Sequence, residues 1–335
     1  MVDLSQITGH DIPVGKNYEV KIISLEEKDA LLERLLKGQK TYVAKARLHY
    51  LSVQIVTNVK QFHEMWLENF YFADESMFSH AIIFAINDGK EFEVMYEPRS
   101  RCLIVRNCDY YGWVKSMALA LAGDMLEDYT AGNRRYSVHG SAVDYAGRGL
   151  AMMAPSGTGK TTLTYGLLLS KSANYISDDW LFVRVYPKEL IAFSSEKNSY
   201  IREDLPRVWK EYGVLEEMVQ LDNKKRGIAD LSNVLGAGNI RRITNLTTLV
   251  LLKRDKADAR KFYEVNSAEA FDYIKGSDYC NPQHQLIRDA RKIKLRDEFF
   301  KGFVKRMRCY MLNTTETQHE SLKRLEGVVK KEFGV

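Results

Sequence analysis

The sequence predicts an α/β protein, and three observations carry that prediction. Short β-type apolar runs recur from residue 51 onward, and helical patterns of apolar spacing are interleaved with them. One strand runs straight into a glycine-rich turn that opens a helix. At 335 residues, with 45% hydrophobic and 28% charged positions, the chain has ample material for a core. Six prolines and 21 glycines, with no Pro- or Ser-rich tract, exclude a collagenous, mucin-like or largely disordered chain, so the whole length is expected to fold. The predicted organisation is an N-terminal α/β region over residues 1–130 and a core with C-terminal helices over residues 131–335.

Taken in order, residues 30–36 have helical spacing with Gly38 as a stop. Strands follow at 51–57, 80–86, 92–96 and 102–106, with Asp88-Gly89 as a turn; the last three are close enough to predict an antiparallel meander. Residues 112–126, rich in Ala, Leu and Met, predict a helix packed on that sheet. Strands at 136–143 and 149–153 lead to a helix running to 169, and further strands are expected at 175–177, 181–186, 190–193 and 247–253. Helices are expected at 205–221 and 286–307, and no internal repeat is visible.

The net charge of +5 is small beside 49 basic and 44 acidic residues, so no global nucleic-acid footprint follows. Cys102, Cys108, Cys280 and Cys309 are widely spaced and form no CxxC pair, which predicts a reducing compartment and no structural zinc. Residues 1–16 lack a basic segment followed by an apolar one, and no run approaches the ~18 apolar residues of a membrane span. A cytoplasmic protein without a membrane partner is expected.

The glycine-rich turn is the most informative segment. Ala154, then Ser156-Gly157-Thr158-Gly159-Lys160-Thr161-Thr162, fits the phosphate-loop pattern with alanine for the first glycine. Gly157 and Gly159 let backbone N–H groups curl around phosphate oxygens, Lys160 neutralises charge, and Thr161 can reach a metal ion. The helix that opens here aims its N-terminal dipole at the anion. Downstream, Asp178-Asp179 follows a short apolar strand, at the end where open α/β sheets hold ligands. Adjacent strand residues point opposite ways, so one carboxylate can face metal and nucleotide while the other faces an acceptor.

One strand before the loop stands His139-Gly140-Ser141-Ala142. The run of His-Gly, strand, phosphate loop and Asp-Asp over residues 136–182 resembles the nucleotide core of the phosphoenolpyruvate carboxykinase superfamily. The nearer likeness is to HPr kinase/phosphorylase and its serine- and peptide-tailoring kinase homologues. That resemblance implies a carboxykinase-like phosphate-loop core with a mixed sheet, to which an N-terminal α/β region and a helical C-terminus are added. It further implies that Lys160 contacts the β- and γ-phosphates of ATP, that Thr161 and Asp179 hold Mg2+, and that Asp178 accepts the proton of an acceptor hydroxyl. His139 matches a metal ligand in carboxykinases and an active-site residue beside the aspartate in HPr kinases.

A weaker match is Glu196, six residues before Arg202. Carboxykinases have a glutamate and a lysine at this spacing, so Glu196 is a further metal-ligand candidate and Arg202 a cation that stabilises the transferred phosphoryl group. The long Glu-Ile-Arg-Gly signature of true HPr kinases is absent, and no carboxykinase decarboxylation site is found. Arg241 and Arg242 are candidates for a nucleotide or acceptor contact.

Residues 283–310 carry nine basic residues against three acidic ones (net +6), with Leu286, Ala290, Ile293, Phe300, Phe303 and Met307 at helical spacing. A packed surface helix with a solvated basic face is one reading, and a dock for an acidic partner is the other. The expected activity is ATP- and Mg2+-dependent phosphorylation of a hydroxyl on a peptide, protein or small molecule, with no nucleic-acid partner and with a homo-oligomer compatible with the family. The alternatives are a nucleotide-sensing regulator without catalysis, and an ATP-dependent protein acting on nucleic acid through the basic helix.

Overall fold

Apolar runs too long for one amphipathic face organise this chain, among them residues 111–127. The computed structural model describes residues 18–130, 132–215, 221–280 and 286–335. The expectations for residues 1–16, for 216–220 of the helix at 205–221, and for the start of the basic stretch at 283–285 lie outside the described residues.

The first sheet contains β1 (Val20–Ile22), β2 (Tyr42–Leu48), β3 (Leu51–Thr57), β4 (Tyr71–Phe72), β5 (Ala81–Ile86), β6 (Glu93–Glu97) and β7 (Cys102–Arg106), in the order β1-β6-β7-β5-β3-β2-β4. Helices α1 (Leu25–Leu36) and α2 (Lys60–Asn69) interrupt it in sequence. The expected meander is not formed: β7 lies between β5 and β6, parallel to the first and antiparallel to the second. Every residue of β7 is buried, with Leu103 and Val105 in one apolar cluster and Cys102 and Ile104 in another. A strand apolar on both faces belongs at the centre of a sheet, and that preference overrides chain order.

Helix α3 (Tyr111–Glu127) is apolar almost all round and nearly fully buried, as expected of a helix covered on every side. Its Met117, Leu119 and Leu121 join one cluster with Val53 and Leu103 of the first sheet and with Trp180 and Phe182 of the second. Each such side chain contributes roughly 1.5–3 kcal/mol on burial. The apolar core therefore runs without a break across residue 130.

The second, nine-stranded sheet is mixed. It contains β8 (Tyr136–His139), β9 (Ser141–Tyr145), β10 (Arg148–Met153), β11 (Asn174–Ser177), β12 (Trp180–Val185) and β13 (Leu190–Ser194). A small ribbon, β14 (Ser199–Arg202) with β15 (Arg226–Ala229), stands apart; β16 (Ile243–Lys253), β17 (Phe262–Val265) and β18 (Arg308–Asn313) complete the large sheet. β10, β16 and β18 run parallel, and the other pairings are antiparallel. The remaining helices are α4 (Lys160–Leu167), α5 (Leu205–Val208), α6 (Leu231–Leu235), α7 (Ser267–Gly276), α8 (Ala290–Lys305) and α9 (Gln318–Phe333).

Two sequence expectations are corrected here. The strand at 136–143 is broken at Gly140, where β8 hands over to β9. The helix expected from 205 stops after one turn, because Trp209 takes an extended conformation and its indole N–H donates to the Thr162 carbonyl at 2.8 Å. Among the described residues no helix is long and apolar enough to cross a membrane.

Candidate functional site

The break at Gly140 creates the site. β8 pairs with β12, setting His139 opposite Trp180, and β9 pairs with β11, setting Ala142 opposite Ser177. Gly140 on one side and Asp178-Asp179 on the other fall at the split between these two ladders. There the Gly140 N–H donates to the Asp179 carbonyl at 2.9 Å. A Cβ on Gly140 would lie 2.8 Å from the Met152 carbonyl, so only glycine fits this approach. His139, Asp178 and Asp179 are thus delivered together by backbone, next to the end of β10.

From that end the chain enters the glycine-rich loop. Ala154, in place of the motif's first glycine, is fully buried in the core behind the loop. Gly157 (φ +82°) and Gly159 (φ +98°) adopt the left-handed conformation the turn requires. The Thr158 hydroxyl donates to the Pro155 carbonyl at 2.8 Å, and Thr314, just beyond β18, donates to the Thr158 carbonyl at 2.8 Å. Lys160 then opens α4.

The side chains converge. Lys160 Nζ lies 3.0 Å from His139 Nε2 and 3.5 Å from Asp179 Oδ1, while His139 Nε2 lies 3.1 Å from the same Asp179 oxygen. The other Asp179 oxygen accepts from Lys115 Nζ at 2.8 Å, and Lys115 also contacts Glu196 Oε1 at 2.9 Å. Asn69 donates to that Glu196 oxygen at 2.9 Å. Asp178 is almost fully buried at 4% exposure; Ser199 donates to its Oδ2 at 3.4 Å, and the Thr161 hydroxyl also hydrogen-bonds to the carboxylate.

These contacts set the protonation states. Burial opposes charge on Asp179, but Lys115, the His139 hydrogen bond and Lys160 outweigh it and hold the carboxyl well below its usual range. Burial raises the Asp178 carboxyl to about 6, with Lys160 pulling the other way. His139 is lowered, first by burial and then by the Lys160 charge. Burial opposes the Lys115 ammonium, yet Asp179 and Glu196 leave its pKa raised. Burial raises Glu196 despite Lys115.

A cleft of about 300 Å³ opens over this cluster, lined by Ser156, Gly157, Gly159, Lys160, Thr161 and Thr162 of the loop, with His139, Asp179 and Arg202. Arg202, with a side chain 64% exposed, pairs with Asp204 at 3.4 Å on the cleft rim. Asp178 and Glu196 do not line the cleft; Asp178 lies beneath it, and Glu196 lies behind Asp179 as the partner of Lys115 and Asn69. Arg241 and Arg242 lie away from it, Arg241 donating to the Gly238 carbonyl and Arg242 stacked on Tyr71.

Three residues that sequence reasoning missed belong to the site. Lys115 is the one charged residue in the apolar run 111–123, and a lone charge there demands a buried partner. Arg254 follows β16, which is parallel to β10, so it emerges at the same sheet end as the glycine-rich loop, and its guanidinium would lie 3.9 Å from a Cβ on Gly159. Arg226 enters the cleft from β15 and stacks on Tyr200 with 5.6 Å to the ring centroid; its sequence context carries no such signal.

The donor set for a magnesium ion is limited but suitable. Mg2+ is bound through one or two protein oxygens plus substrate phosphates, and Thr161 with the ionised Asp179 offers hard oxygens on the cleft wall. Among the described residues no group of three or more His, Cys, Asp or Glu side chains is arranged to hold a metal by itself. Glu196, tied to Lys115, does not extend that set.

The basic segment is largely spent on the fold. Lys292 and Arg296 of α8 are buried against Asp124, Glu127 and Asp128, with Arg296 at 2.7 Å from Glu127, and Arg288 and Arg291 pair with Asp278 and Asp128. No protein-family model matches the sequence, and no curated protein shows significant similarity to it.

Proposed function

We propose that this protein is a magnesium-dependent kinase that transfers the γ-phosphate of ATP to a hydroxyl of a peptide, protein or small molecule. The observation that carries this reading is the meeting, in one cleft, of the Gly157–Gly159 loop and Lys160 with the His139 and Asp179 pair, directly above Asp178. The motif resemblance to HPr kinase/phosphorylase supports a hydroxyl acceptor.

In this reading the loop amides and Lys160 bind the triphosphate, and Arg254 and Arg226 add charge along the cleft. Thr161 and Asp179 would hold the metal, which neutralises phosphate charge and orients the oxygens for in-line transfer. The two aspartates divide by basicity. Asp179, pinned by two ammonium groups, is a poor base, whereas Asp178, raised to about 6, is ionised yet basic enough at neutral pH. Asp178 takes the hydroxyl proton. His139 Nε2 faces both groups, and a neutral ring either accepts from Lys160 or donates to Asp179 at that nitrogen, so it adjusts to the charge around it. Arg202, exposed on the rim beside Asp204, would meet charge developing on the transferred group.

One observation favours a second reading, a nucleotide-sensing regulator. Lys115 and Lys160 already neutralise Asp179 without a divalent ion. Incubation with γ-labelled ATP and magnesium in lysate fractions, beside Lys160→Ala and Asp178→Asn, separates the two. Label entering an acceptor only with the intact protein supports the kinase; nucleotide binding without acceptor labelling, under any phosphate donor tried, supports the regulator.

A further inference from the structure

A second groove, outside the phosphate cleft, opens between the edge of the first sheet and the start of β16. It has a volume of about 400 Å³ and is lined by Arg47, His49, Tyr50, Tyr71, Phe193 and Arg242. Its walls are aromatic: the His49 ring lies 4.7 Å from Phe193 and 3.9 Å from Tyr50, and Tyr50 is well exposed.

Onto these rings converge three cations. The Arg242 guanidinium lies 4.3 Å from the Tyr71 centroid and Arg47 lies 5.5 Å from the same centroid. Arg135, only 3% exposed, lies 5.5 Å from both the Tyr50 and Phe193 rings. Among the described residues none of the three pairs with a carboxylate, in contrast to Arg291 and Arg296 of α8, which do. The walls also hold Tyr71 Oη and His49 Nε2, and behind them lies Arg135 Nε, all buried without a hydrogen-bond partner. Arg47 lowers the pKa of Arg242, after burial, which reports the repulsion between the two. Like charges kept together without a counter-ion, beside unpaired buried polar atoms, destabilise a protein unless something binds there.

We propose that this groove binds an oxyanion, a carboxylate or a phosphate monoester attached to a flat apolar body, with Arg47 and Arg242 pairing with its charge and the aromatic walls holding the body. The volume matches that of small-molecule pockets, and the walls have the usual apolar lining with a few convergent polar groups. The site is separate from the phosphate loop and stands whatever the chemistry of the cleft.

The test is calorimetric titration of the full-length chain carrying Lys160→Ala, which weakens the phosphate loop, with phenyl phosphate and with benzoate. The same titrations follow in that background with Arg47→Gln, Arg242→Gln or Tyr71→Phe added. At least one probe is expected to bind, weakened about tenfold or more by either arginine change, since a charge-assisted hydrogen bond is lost. Tyr71→Phe, which keeps the ring, is expected to weaken it severalfold without lowering the melting temperature. Binding of phenyl phosphate alone assigns the phosphate monoester, of benzoate alone the carboxylate, and of both a general oxyanion site. Failure of both probes to bind at millimolar concentration, or binding that none of the three changes moves, overturns the proposal.

Discussion

Lys115 Nζ and Asp179 Oδ2 lie 2.8 Å apart, joining the central apolar helix to the split in the second sheet across 64 positions of sequence. The same ammonium holds Glu196, so one cation compensates two carboxylates. Replacing Lys115 by Met would leave Glu196 buried without its counter-charge. The expected cost is about 3–5 kcal/mol, as for other broken buried pairs. Adding Glu196→Gln is expected to recover part of it, which denaturant unfolding of both variants measures.

Asp178 predicts opposite changes in activity and stability. Its folded pKa, about 6, is raised above the unfolded value of 3.8. It therefore contributes stability that is fully present below about 3.8 and is lost as pH rises through about 6. Asp178→Asn mimics the neutral form, so its melting temperature is expected to match that of the parent near pH 4 and exceed it at pH 7–8. Transfer activity is expected to rise with pH through about 6 in the parent, and to fall about 10²–10⁴-fold in the variant. A variant of unchanged activity would remove Asp178 as the base.

Lys160 acts on His139 as well as on the nucleotide it is proposed to bind. Its charge is the second cause, after burial, of the lowered His139 pKa. Lys160→Met is expected to raise that pKa, seen by NMR titration of the imidazole. A histidine lowered in the folded state contributes stability present above its unfolded pKa and lost as pH falls, so the variant is also expected to tolerate acid better. Nucleotide affinity is expected to fall about 10–100-fold with the loss of the charged contact.

The basic helix divides into residues that fold the protein and residues that do not. Lys292 is fully buried among Asp124, Glu127 and Asp128, and burial raises Asp124 to about 7 in their company. Lys292→Met is expected to destabilise by about 3–5 kcal/mol, whereas Lys294→Glu or Lys305→Glu is expected to change stability by less than about 0.5 kcal/mol. Thermal melts of the three variants check this.

The strand-loop-helix around Lys160 was legible in the sequence because glycines at fixed spacing, an apolar strand before them and a helical pattern after them all point to one local structure. The clustering of His139 with Asp179 does not follow from spacing alone and was expected only from the motif resemblance. Nothing in the spacing shows that a broken strand opposite Asp178-Asp179 creates their pocket. The order of the first sheet was not legible, since the turn at Asp88-Gly89 suggests a hairpin while the two-sided burial of β7 places that strand between its neighbours. Glu196 showed the right residue type at the right spacing, but which cation would claim it is a tertiary fact. The charges of Lys292 and Arg296 looked like a solvated face until α3 supplied the carboxylates that bury them.

The position of Lys115 bears on what constitutes the smallest working unit of this protein. A chain begun at residue 131 would keep the phosphate loop, His139 and both aspartates, and would still read as a nucleotide-binding protein by its motifs. It would nevertheless lack the ammonium that lies between Asp179 and Glu196, as well as the carboxylates that neutralise Lys292 and Arg296. The segment that carries the motif is therefore shorter than the segment needed to keep it charge-balanced, and a chain cut at residue 130 would lose the site's support from behind.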